Sequence, residues 1–306
     1  MATRHFVMMQ PTSQKLRIQD LPLQLWDFGG SGPVVLCLHG YLDQGRSYTW
    51  LAQELAGQAH VLSLDWRGHG QSAWVGPGGS YHLLDHVKDL HLVCDALEQA
   101  GQPVDTLVGH SMGGNIALLW AGSCPGKIRR LLLLDAIGPP AEEAAEQPER
   151  LANLLRSLSR GPKDASVVQD EADAISRLLF SNPRLTRQGA ERMARFALVP
   201  HEDDPQQFRF AFDPRVRGPT PNRWPEEMWR TLCTRLDCAV HLLRAEHGYA
   251  VCGEPTQSRL GCMSGAVEEV ARGHGHHLHV DAPHVVADAL RRLLQRCPDE
   301  ANSALP

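Results

Sequence analysis

The sequence predicts an α/β protein: a mostly parallel sheet with helices on both faces, interrupted by an inserted helical cap. Three observations predict it. Short apolar runs alternate with stretches of helical periodicity, the pattern of chains that build parallel sheets through helical crossovers. One such run, Asp105-Thr-Leu-Val108, passes through Gly109-His110-Ser111-Met112-Gly113 into an apolar helical stretch from Asn115 to Ala121. After Gly138-Pro139-Pro140 the alternation stops and does not resume until Val240.

The elements follow in order. Lys15–Asp20 and Leu23–Phe28 alternate between apolar and polar residues and read as strands, with a strong turn after them at Gly29-Gly30-Ser31-Gly32-Pro33. Val34–Leu38 is continuously apolar, as a strand covered on both faces must be. Val61–Leu64 is another such run, followed by the loop Asp65-Trp-Arg-Gly-His-Gly-Gln-Ser72. From Leu84 through Val87, Leu90, Cys94 and Leu97 the apolar residues recur every three or four positions, which predicts an amphipathic helix closed by Gly101. Strand 105–108, the serine turn with its helix, and strand Arg130–Leu134 complete the first half. Residues 139–235 are rich in Ala, Glu and Arg and read as helices in pieces without a buried strand. Leu154, Leu155, Leu178–Phe180, Phe196, Phe208 and Trp229 give this segment the apolar side chains of a folded cap rather than a disordered linker. The sheet returns at Val240–Leu243 and Val267–Val270, and a last helix starts at Pro283. The expected division is a core of residues 1–138 and 236–306 with a cap of 139–235.

Composition excludes several classes of function. A length of 306 residues with 42% apolar and 21% charged residues is that of an ordinary globular chain. A net charge of −5, with no basic stripe, argues against nucleic acid or an anionic membrane as the main partner. No run of about 18 apolar residues is present, so no membrane span is expected. The eight cysteines contain no C-x-x-C pair, and Cys37 and Cys94 lie inside apolar runs, as buried thiols do. A cytosolic location is expected.

The candidate chemistry centres on Ser111. Glycines at 109 and 113 allow a turn too tight for Cβ atoms, and such a strand-to-helix turn holds a hydroxyl out as a nucleophile. The following helix aims its N-terminal N–H groups, that of Met112 first, at the place where an oxyanion would form. The backbone N–H of Tyr41, in His39-Gly40-Tyr41-Leu42-Asp43, is the candidate second donor. A serine needs a base, and Gly275-His276-His277-Leu278-His279 supplies one after the last strand; His276 is the candidate, with His279 a structural neighbour. Histidines 274, 276, 277 and 279 crowd one loop without matching carboxylate or cysteine spacing, so no metal site is expected. Two carboxylates compete for the acid that orients His276. Asp135 ends a run of four leucines, where a buried charge demands a partner, and it is preferred. Glu246 is the alternative, in the loop after Val240–Leu243, where Gly248 occupies the position at which an aspartate would be expected. Asp65, Arg67 and His69 are expected to pin their own loop, and Trp50, Trp66 and Trp120 to be core or pocket wall.

Together these residues resemble the α/β-hydrolase superfamily over nearly the whole chain. The resemblance rests on His39-Gly40, Asp65-Trp-Arg-Gly-His-Gly-Gln-Ser72, Gly109–Gly114 and Gly275-His276 with Pro283 downstream, in that order. His-Gly-Tyr-Leu-Asp, Leu-Asp-Ala-Ile-Gly-Pro and Phe212-Asp-Pro-Arg215 are similar to its serine hydrolase-like branch. The resemblance implies an α/β-hydrolase fold with an eight-stranded sheet, its first strand pair antiparallel, and the cap between the sixth and seventh strands of that sheet. It also implies a Ser111–His276 pair, a small-molecule acyl substrate and no cofactor. The expected activity is hydrolysis of a carboxylic ester or related acyl bond, with C–C bond hydrolysis or a non-catalytic binding role as alternatives.

Overall fold

The computed structural model describes residues 9–161, 165–202, 204, 206–221, 223–249 and 253–296. Cys252, Cys297 and the residues before Met9 lie outside them. Among the described residues ten strands occur in chain order: β1 (Thr12–Ile18), β2 (Leu21–Asp27), β3 (Val34–Leu38), β4 (His60–Leu64), β5 (Val104–His110), β6 (Arg130–Leu134), β7 (Leu198–Pro200), β8 (Phe208–Phe210), β9 (Ala239–His247) and β10 (Val267–Gly275). Eight form one sheet in the order β1-β2-β4-β3-β5-β6-β9-β10. Only β2 runs against its neighbours; β4, β3, β5, β6, β9 and β10 pair in parallel. The first hairpin turns earlier than its residues suggested. Gln19 and Asp20 take φ of 46° and 67°, a two-residue turn of the kind that matches strand twist, so the first strand ends at Ile18.

The continuous apolar runs are explained by burial on both sheet faces. Alternate residues of one strand enter opposite clusters. Leu36, Leu38, Leu107, Leu131 and Leu133 pack with the helices Leu83–Gln99 and Met112–Ser123. Val35, Cys37, Val108, Leu132 and Leu134 pack with Thr49–Glu54 and Pro283–Gln295. The six described cysteines are free thiols, and Cys37 is fully buried.

The segment 139–235 packs in more than one way. Val168, Ala174, Ile175, Leu185, Ala190, Met193 and Ala194 form a cluster of their own, which Val280 joins from the segment after β10. The helix Glu226–Thr234 instead lies in the main core, where Trp229 is fully buried. Two apolar side chains counted toward the cap core are on the surface: Leu155 is 56% and Phe180 90% exposed. The helix Gln147–Arg160 buries none of its residues. The antiparallel pair β7–β8 was not foreseen either; it is three residues long on each side and neither strand is buried.

Candidate active site

The C-terminal ends of β3, β5, β6, β9 and β10 deliver the candidate residues to one edge of the sheet. Ser111 follows β5 with φ 51° and ψ −116°, a conformation that side chains rarely adopt and that tertiary contacts must hold. Its N–H donates to the Leu134 carbonyl and its own carbonyl accepts from Asn115 N–H. The turn tolerates no Cβ. At Gly113 one would stand 2.3 Å from the Leu38 carbonyl oxygen, and at Gly109 2.5 Å from the Gly114 Cα. Met112 opens the helix Met112–Ser123, so its N–H belongs to the first turn, which has no intrahelical acceptors.

The loop after β3 runs alongside this turn. A Cβ on Gly40 would lie 3.2 Å from Ser111 Cβ and 2.7 Å from His110 Nδ1, which places the Tyr41 segment beside the serine. Two bonds through His39 hold the loop: its Nε2 accepts from Trp66 N–H, and its carbonyl accepts from Trp66 Nε1–H. The Asp65 carboxylate accepts from the Trp26 indole, Gly45 N–H and Gln71 N–H. Burial pushes its carboxyl up to about 6 against the pull of those bonds. The Arg67 fork closes on Asp89 with two 2.6 Å bonds. Asp65 and Arg67 therefore pin their loop to β2, to the segment at Gly45 and to the helix Leu83–Gln99, and the His69 ring bonds within the loop to the Arg67 carbonyl.

Asp135 follows β6 with φ 48° and is 2% exposed. Its carboxylate accepts from Ala245 N–H at 3.0 Å, Tyr249 N–H at 2.8 Å and His276 Nδ1 at 2.5 Å. His276 lies just past β10, 9% exposed, with the Tyr249 ring 4.7 Å from its own. Glu246, the other candidate acid, points elsewhere. It accepts from Gly273 N–H and faces Arg272, on an exposed stretch. Gly248 explains the exchange of position: a Cβ there would stand 2.1 and 2.3 Å from the two Asp135 oxygens. Just past β9, where Gly248 stands in place of an acid, the chain keeps a hole that the carboxylate after β6 fills.

Three further residues tie the site together: His110 and Asp43 were not assigned a part from the sequence, and His279 was expected only as a structural neighbour. His110, next to the serine, donates from Nε2 to the His276 carbonyl at 2.9 Å. His279 is fully buried and bonds through Nε2 to Asp43, which also accepts from the Ser47 hydroxyl. Burial would raise the Asp43 carboxyl, but the bond to His279 and the nearby histidine charges bring it below its usual value. The one available signal was the carboxylate in His39-Gly40-Tyr41-Leu42-Asp43, whose partner is 236 positions away.

The family model described as the alpha/beta hydrolase fold matches residues 33–197. The chain belongs to the α/β-hydrolase family. A serine hydrolase-like protein of Danio rerio is 25% identical over 99% of this chain and 96% of its own length. A hypothetical protein of Pseudomonas aeruginosa, solved as a crystal structure, superposes with a TM-score of 0.82 at 29% identity, covering 93% of this chain and 99% of that one. A thioesterase domain from the curacin biosynthetic pathway superposes with a TM-score of 0.76 at 29% identity, over 92% of this chain and 99% of that domain. The matched span of this α/β-hydrolase holds Tyr41, Ser111 and Asp135, while His276 comes from the sheet strands beyond it. Among the described residues no helix is long and apolar enough to cross a membrane.

Proposed function

We propose that the protein is a serine acyl hydrolase that cleaves a carboxylic ester or a related acyl bond of a small molecule. Ser111 Oγ attacks the acyl carbon while its proton passes to His276 Nε2. The imidazolium so formed is held by Asp135 through Nδ1–H. The backbone N–H groups of Tyr41 and Met112 hold the oxyanion, and collapse expels the leaving group with the proton returned from His276. Water, deprotonated by the same histidine, then releases the acyl group from Ser111. The observation that carries this reading is the 2.5 Å bond from His276 Nδ1 to a buried carboxylate, beside a serine held at φ 51°. The likeness to a thioesterase domain and to a serine hydrolase-like protein supports acyl chemistry and leaves thioesters among the substrates.

Intact-mass labelling with a fluorophosphonate tests it. The parent is expected to gain one adduct and Ser111→Ala none. Asp135→Asn is expected to label far more slowly, and Glu246→Gln at the parent's rate. An unlabelled parent would overturn the proposal in favour of a non-catalytic binding protein on this fold. Rapid labelling of Asp135→Asn would remove Asp135 from the mechanism.

A further inference from the structure

Behind the serine turn, three buried side chains from distant parts of the sequence converge. One ring nitrogen each from His110 and His279 and one carboxylate oxygen of Asp43 all lie within 4.8 Å of one another. His110 is 2%, Asp43 7% and His279 0% exposed, and the two imidazole rings are 4.4 Å apart. Their hydrogen bonds decide which nitrogens are available. His110 donates from Nε2 to the His276 carbonyl, so its Nδ1 carries the lone pair. His279 bonds through Nε2 to Asp43 at 2.9 Å, so that nitrogen and the carboxylate already face one another. Both Nδ1 atoms are buried and have no hydrogen-bond partner. Buried polar atoms are almost always satisfied, so the bare lone pair at His110 Nδ1, beside the His279–Asp43 pair, calls for an explanation.

We propose that Asp43, His110 and His279 form a binding site for a divalent transition-metal ion of the zinc class. A neutral imidazole whose other nitrogen donates to a carboxylate or a backbone carbonyl is the arrangement of metal-ligating histidines, since the second bond fixes the tautomer and orients the ring. His110 has it before any ion arrives, and at His279 the ion takes the place of the proton between Nε2 and Asp43. The third donor is a carboxylate, and two nitrogens with one oxygen suit zinc and its neighbours better than calcium or magnesium, which take oxygen alone. Tetrahedral coordination at 2.0–2.2 Å needs donors about 3.4 Å apart, so donor atoms already within 4.8 Å of one another close on an ion by small rotations. Gly40 leaves the room: a Cβ there would sit 2.7 Å from His110 Nδ1, and its absence uncovers that lone pair.

The site's position gives it a consequence. His110 precedes Ser111, Asp43 lies two residues past Tyr41, and His279 lies three past His276. An ion there grips the three segments that carry the proposed nucleophile, oxyanion donor and base, so occupancy lowers hydrolysis; that clause rests on the proposed function, whereas binding does not.

The test is titration of the full chain with Co²⁺, read by its visible absorption, then displacement by Zn²⁺. One ion per chain is expected, with affinity at least tenfold weaker in both Asp43→Asn and His279→Gln. His274→Gln, which changes a nearby histidine outside the cluster, is expected to leave it unchanged. Anomalous diffraction at the zinc edge from the soaked parent is expected to place the ion among these three side chains, a result that needs no variant to fold. Absence of a cobalt spectrum in the parent, an ion located elsewhere, or equal affinity in folded Asp43→Asn would overturn the site. Fluorophosphonate labelling of the metal-free parent separates the two readings: labelling without cobalt binding rejects only the metal site, and cobalt binding without labelling rejects only the hydrolase.

Discussion

Asp135 depends on a glycine just past another strand, β9. Its carboxylate occupies the volume that a side chain at Gly248 would need, and it is held by Ala245 and Tyr249 N–H groups on either side of that glycine. Gly248→Ala is therefore expected to displace the carboxylate while leaving the sheet intact. A displacement near 1 Å costs about 100-fold in turnover, which ester hydrolysis by the folded variant would measure. Asp135→Asn keeps the shape but favours the wrong imidazole tautomer, and kcat is expected to fall about 10⁴-fold. Unchanged turnover in either variant would separate this carboxylate from catalysis. At this scale the sequence was legible where a residue type contradicts its surroundings. An aspartate after four leucines has to have a partner, and Asp135 was singled out for that reason. The contradiction does not say which partner. The meaning of Gly248 as reserved space, and the pairing of Asp43 with His279, depend on strands meeting across more than a hundred positions.

The turn that carries Ser111 trades stability for geometry. A side chain at φ 51° and ψ −116° costs of order 1–3 kcal/mol, and only glycine occupies that region freely. Ser111→Gly is expected to raise stability by about 1 kcal/mol in urea unfolding while abolishing labelling; a destabilised Ser111→Gly would mean the strain is not there. Gly113→Ala is the converse case. Its Cβ meets the Leu38 carbonyl oxygen at 2.3 Å, backbone against backbone, and the helix must move off the sheet, at a cost of about 1–3 kcal/mol. Elements were legible in proportion to how much apolar surface they bury. β3 and β6 have the bounds their apolar runs suggest, because both faces are covered and every residue reports it. The helices Thr49–Glu54, Glu254–Leu260 and Leu278–Asp281 are four to seven residues long, too short for a period to show, and tertiary contacts rather than local pattern hold them. β7 and β8 lie outside the main sheet, pairing with each other and, at Phe208, with Val168, and three residues each without a buried face leave no alternation to read.

Across the whole molecule, the cap segment and the core are joined through buried polar groups. Asp213 is 1% exposed and accepts from the Tyr81 hydroxyl and the Arg215 guanidinium, while Arg215 also donates to the Val75 carbonyl. Gly70 N–H donates to Ala211 and Asp213 N–H to Gly68, which binds the loop after β4 to the segment after β8. Under this seam lie three buried histidines, His39, His69 and His86, with the His69 ring 5.2 Å from His39 and 6.4 Å from His86. Burial lowers all three: His39 to about 3, His69 to about 4, and His86 well below its ordinary value, with Arg67 and the neighbouring imidazoles adding to the fall at His86. Asp43 and Asp213 pull the other way on His69, but less than burial does. In the unfolded chain each takes a proton near pH 6.5. The unfolded state therefore binds more protons between pH 6.5 and 4, and stability is present in full above pH 6.5 and lost as the pH falls through that window. Asp65, raised to about 6 by burial, works in the opposite sense over the lower part of it, as Asp89 does, while burial lowers His110 and His277 as well and adds to the decline. Urea unfolding as a function of pH is expected to give a flat profile above pH 7 and a steep decline below 6.5. Each neutral buried histidine steepens that decline by about 1.4 kcal/mol per pH unit. His86→Gln, which removes one titrating group from the cluster, is expected to flatten it by about that amount; a parent slope that His86→Gln leaves untouched would mean that the acid sensitivity comes from elsewhere in the chain.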